Sequence, residues 1–146
     1  MIDYEDLFNT SYWRATRTEK DGAGFLDAFY QRFLNSSPVV EDKFKHTDME
    51  TQKQALKESL FHMCDFFASN VADDHIQQIS QLHGKSGMGI PPLLYDLWLE
   101  CLIETVREYD PEFRPDVELA WRLVMISGIT YMKFHYDETS CREISA

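Results

Sequence analysis

Basic residues are scarce: 14 Lys and Arg stand against 25 Asp and Glu, a net charge of −11 over 146 residues. Such a field repels phosphate, which argues against nucleic acid and anionic membranes as partners. Six glycines and five prolines are too few for a β-sandwich with its many tight turns. Nowhere do 18 apolar residues run together, so no membrane span is expected. The acidic start, Met1-Ile2-Asp3-Tyr4-Glu5-Asp6, has none of the features of a secretory signal. Cysteine is limited to Cys64, Cys101 and Cys141, with no Cys-x-x-Cys pair. That argues against zinc-site and thioredoxin-type chemistry and reads as free thiols in a reducing cytoplasm.

What is present is apolar and aromatic. Hydrophobic residues make up 44% and aromatic ones 14% of the chain, enough for one core in a single domain over 1–146. Apolar residues recur at helical spacing almost throughout, which predicts an all-α domain of six or seven helices. A first helix is expected over about 3–18, and a second carries Phe25, Leu26, Phe29, Tyr30, Phe33 and Leu34 until Asn35-Ser36-Ser37-Pro38 stops it. Phe44 falls in a short irregular piece. A long helix then opens at Thr47 or Asp48, where Thr47 to Glu50 has capping-box spacing. A shorter helix carries Ile76, Ile79, Leu82 and His83 and stops at Gly84. Two more long helices follow the loop 85–92, and the polar tail 137–146 is expected to fray.

Three polar residues interrupt the apolar stripes, where burial costs free energy unless a partner satisfies them. Tyr30 shares a face with Leu26 and Phe33, Gln52 lies between Met49 and Leu56, and His83 follows Ile79 by one turn. Each has a bland account: a tyrosine bonded to a carbonyl, a half-exposed glutamine, a histidine suited to a helix C-terminus. Together, on three helices, they describe a pocket with an imidazole facing a phenol and an amide. The other histidines, His46, His62, His75 and His135, do not pair with His83 at helix-face spacing, which speaks against a protein-only metal site. A lone imidazole suits a metal whose other ligands come from a macrocycle, as in haem.

Phe29 to Leu34 with Ser36-Ser37-Pro38 and Phe44, then Thr47 to Leu56, then His83, resembles a bacterial globin over about 24–136. The spacing of 14 from Tyr30 to Phe44 resembles flavohaemoglobin-like and sensor-type globins, and the run His83 to Trp98, with Trp121 and Gly128 to Met132, is similar to globin domains linked to diguanylate cyclases. The resemblance implies a three-on-three helical sandwich around haem b, with His83 as the proximal iron ligand. It places Phe44 flat against the cofactor, Leu56 one turn beyond the distal residue, and Tyr30 with Gln52 as the groups that hydrogen-bond the gas. Tyr95 is implied behind His83, and Lys53 and Lys85 are candidate partners of the propionates. Where flavohaemoglobins have a proximal glutamate this chain has Tyr136, with Glu138 nearby, a departure that weakens the case for peroxidase-like chemistry.

Three function classes follow. The first is reversible binding of O2, or of NO or CO, for sensing or oxygen binding. The second is a nitric oxide dioxygenase or peroxidase fed by a separate reductase. The third is a haemless interaction module. His46 or His62 could serve as a sixth ligand, and amphipathic faces on the last two helices could support a homodimer. A reductant or signalling output is expected on another chain.

Overall fold

The computed structural model describes residues 1–85 and 87–137. Among these residues seven helices run in order, α1 (Tyr4–Thr16), α2 (Phe25–Leu34), α3 (Pro38–Phe44), α4 (Met49–Ser69), α5 (Asp74–His83), α6 (Leu93–Tyr109) and α7 (Pro115–Phe134). Among the described residues there is no strand, only an isolated bridge between Lys20 and Ala23, and no helix is long and apolar enough to cross a membrane. The expected tail beyond Asp137, with Glu138 and Cys141, lies outside the described residues, while Cys64 and Cys101 are buried free thiols. Burial pushes both thiols up, Cys64 to about 11, so neither is a ready nucleophile.

Short polar side chains set the helix starts. Asp3 accepts from the Asp6 N–H and Asp73 from the Ile76 N–H, each satisfying an orphan donor of the first turn. Asp48, rather than Thr47, caps α4 by accepting from the Glu50 N–H at 3.1 Å. Phe44 is not in an irregular piece: it is the last residue of α3. The Ser-Pro pair ends one helix and starts the next, since the Ser37 hydroxyl accepts from the Val39 N–H while Pro38 occupies the first turn. Asn70 closes α4 in the left-handed region at φ 60°.

The helices pack with α1, α4, α5 and α6 against α7 and with α2 against α6. Trp121, Phe29, Leu60, Leu102, Ile103, Met125 and Ile129 fill the core. Gly128 lets α4 cross α7 closely, because a Cβ there would stand 2.6 Å from the Met63 methyl. A buried polar tie holds α1 to the chain between α6 and α7. The Asp110 carboxylate accepts from the Ser11 hydroxyl at 2.6 Å and from Arg14 through Nε at 2.6 Å and Nη2 at 2.9 Å. The Trp121 indole N–H in turn donates to Ser11 at 2.8 Å.

Candidate functional site

Tyr30 projects from the buried face of α2 into an aromatic corner. Its ring meets Phe29 at 5.0 Å and Phe44, at the end of α3, edge-on at 6.1 Å. The Asp48 cap fixes where α4 begins, so Gln52 falls one turn in, with the buried Leu56 a turn further along the same face. From there the Gln52 amide Nε2 donates to the Tyr30 hydroxyl oxygen at 3.0 Å. A second bond joins the same helices, for the Lys53 ammonium sits 2.6 Å from Asp27 of α2 and 3.1 Å from Glu50.

Burial pushes the Tyr30 phenol up to about 12, against the opposing pull of the Gln52 bond and the Lys53 charge. The group therefore stays protonated at neutral pH. Since the amide N–H already occupies a lone pair of the phenol oxygen, the hydroxyl proton is left to donate elsewhere.

His83 closes α5. Its Nδ1 donates to the Ile79 carbonyl at 2.8 Å, one turn back, which assigns the proton to Nδ1 and leaves Nε2 as the lone-pair nitrogen. Nε2 has no hydrogen-bond partner among the described residues. Burial holds the imidazole below its ordinary range, outweighing the carbonyl bond, so the ring is neutral at pH 7. The chain then folds back over the end of α5: Met88 N–H donates to Leu82 O at 2.7 Å and Ile90 N–H to His83 O at 3.0 Å. A Cβ at Gly87 would run into the Leu82 carbonyl, so glycine is required for this close return. The Lys85 N–H donates to Tyr136 O at 2.8 Å, pinning the end of α7 to the same turn.

Tyr95 of α6 is buried with its ring 6.2 Å from that of His83. Burial, with a smaller effect from Tyr136, raises its phenol well above the ordinary range. Lys85 is exposed, 3.9 Å from Asp137. Lys43, beside Phe44, donates to the Met88 carbonyl at 3.3 Å and so ties α3 to the loop after His83.

The structure thus joins Tyr30, Phe44 and Gln52 in one cluster and His83 with Tyr95 in another. His62 is not a sixth-ligand candidate. Its Nδ1 lies 2.8 Å from Asp73 and its ring stacks on His75 at 3.9 Å, at the turn between α4 and α5. Ten residues separate it from Gln52, roughly 15 Å along a helix. His46 is exposed. Sequence reasoning missed Asp27, Lys43 and the Ile79 carbonyl, whose roles depend on which helices cross and carry no local signal.

Among the described residues no group of three His, Cys, Asp or Glu side chains that could hold a metal occurs. A neutral imidazole with Nδ1 fixed and Nε2 unengaged does fit a metal already ringed by a macrocycle. A globin family model matches residues 27–129. No curated protein matches the chain. Among solved structures it is similar to a protein of Pseudomonas aeruginosa PAO1 described as structurally highly homologous to a human haemoglobin, at 34% identity and a TM-score of 0.85, over 92% of this chain and 98% of the other.

Proposed function

The chain belongs to the globin family, and from that premise we propose that it carries haem b on His83 and binds a diatomic gas, O2 foremost, reversibly. Haem iron would supply the site at which the gas binds. The distal chemistry belongs to Tyr30, and the observation that carries the reading is the Gln52-to-Tyr30 bond. It occupies an acceptor lone pair of the phenol and leaves the hydroxyl proton available, so Tyr30 would donate a hydrogen bond to a polar diatomic held beside it. Phe44 and Leu56 give that space apolar walls, which favour an uncharged diatomic. Of the two lysines expected at the propionates, Lys85 is the freer, because Lys53 is already shared by Asp27 and Glu50.

The proximal side favours binding over peroxidase-type chemistry. A carboxylate on Nδ1 would push electron density onto the metal, whereas the Ile79 carbonyl leaves His83 an ordinary neutral imidazole. Sensing is the use we assign to such binding.

Absorption spectra of the purified protein, then reduced, then under O2 and CO, test the reading. A Soret band that shifts with each gas and is lost in His83→Ala is expected; a protein that stays colourless with added hemin overturns it. In the same assay Tyr30→Phe speeds O2 release roughly two- to tenfold, the loss of one neutral hydrogen bond. An unchanged rate removes Tyr30 from the role.

A further inference from the structure

On the outer side of α4, opposite Gln52, a groove of about 300 Å³ opens between α1 and α4. Phe8, Tyr12 and Leu60 form its apolar floor, and Lys57, Glu58 and Phe61 stand on its α4 wall. Phe61 is 70% exposed, a large apolar ring held out into water beside an apolar hollow. Trp13, 56% exposed, extends the apolar surface one turn beyond Asn9, under the Arg17 guanidinium at 4.1 Å. Lys57 makes no ion pair among the described residues, although the chain has 25 carboxylates for 14 cations. Its neighbour Glu58 is also exposed and accepts a 3.4 Å bond from Gln54.

We propose that this face is a two-fold interface between two copies of the chain, in which each Phe61 enters the other's groove and each Lys57 pairs with the other's Glu58. A two-fold contact requires one patch to carry both halves of every complementarity, and this patch does so. It has a knob and a hollow, a cation and an anion. A benzene-sized ring needs a cavity of about 150 Å³, so the groove admits a phenylalanine with room for its backbone side. Charge selects the occupant as well. Two molecules of net charge −11 repel, whereas the groove lining itself carries one cation, Lys57, and one carboxylate, Glu58. The interface lies on the back of the helix that presents Gln52, and it involves neither α6 nor α7, whose outer ion pairs Arg122–Glu100 and Arg107–Glu118 are satisfied within one chain.

Sedimentation velocity of the full chain over 1 μM to 1 mM tests the interface. A concentration-dependent dimer is expected. Phe61→Ser, an exposed substitution that leaves the helical circular dichroism unchanged, should weaken association at least tenfold. Lys57→Glu should weaken it too, and Lys57→Glu with Glu58→Lys in one chain should restore it. A protein monomeric across the range overturns the proposal, as does a dimer indifferent to Phe61→Ser and to the charge exchange. Saturable uptake of a fluorescent fatty acid by a groove that never dimerises would instead make it a small-molecule site.

Discussion

At the scale of single residues, Tyr30 and Gln52 do different things although both can donate. The amide proton of Gln52 ends on the phenol oxygen 3.0 Å away, so under the proposed function Gln52 would orient the donor and Tyr30 would deliver it. This separates two arrangements that sequence alone leaves equivalent. If Gln52 works through Tyr30, Gln52→Ala speeds O2 release by less than Tyr30→Phe, and it adds nothing once Tyr30 is already Phe. A double-mutant cycle on the release rates reads the coupling directly. Two independent, multiplicative effects would mean that Gln52 reaches the ligand itself. His83 has a similar logic, since the Ile79 carbonyl selects its tautomer. Being backbone, that acceptor cannot be deleted by substitution, and it depends only on α5 staying helical to its last turn.

At the scale of elements, the buried tie at Asp110 fastens α1 to the end of α6. Its carboxylate is fully buried, and burial alone would raise its pKa. The bonds from Arg14, Ser11 and the Glu112 N–H outweigh that and hold it below the ordinary carboxylate range. Removing one partner of a buried pair strands the other, at a cost of about 3 kcal/mol. Asp110→Ala should therefore lower Tm by about 10 °C, read by thermal circular dichroism, while Glu112→Ala, at the exposed edge 3.7 Å from Arg14, should change it little. None of this was legible in the sequence: Asp110 stands before Pro111 and reads as a loop residue, and its side-chain partners Ser11 and Arg14 lie more than 90 positions away. Tyr30, Gln52 and His83 were legible because each breaks an apolar stripe within its own helix, where periodicity is a local signal. The start of α3 was missed for the opposite reason, since Ser37-Pro38 is as good an opening as a stop, and only the following turn decides. The commitment of Lys53 to Asp27 rests on the crossing of α2 with α4, which no spacing within one helix encodes.

At the scale of the whole molecule, acidity gives stability a two-step dependence on pH. Asp27, Asp73, Glu100 and Asp110 all titrate below their ordinary range in the folded chain. Each contributes stability that is present above about pH 4 and lost as pH falls through its folded value. The histidines act earlier. His75 is lowered from 6.5, first by burial and then by the charge of His62 stacked against it. The unfolded chain therefore takes up a proton there before the folded one does, and stability declines as pH drops below about 6.5. His83, lowered by burial, adds to that upper step in the haem-free protein. Tm of the haem-free protein should be flat from pH 8 to 7, fall gently through the histidine range, and collapse below pH 4. His75→Phe keeps an aromatic ring on His62 and removes one titrating group, so it should shrink the upper step and leave the lower one in place. Differential scanning calorimetry from pH 8 to 3 on both proteins distinguishes the steps, and an upper step of unchanged size in His75→Phe would return it to His83 alone.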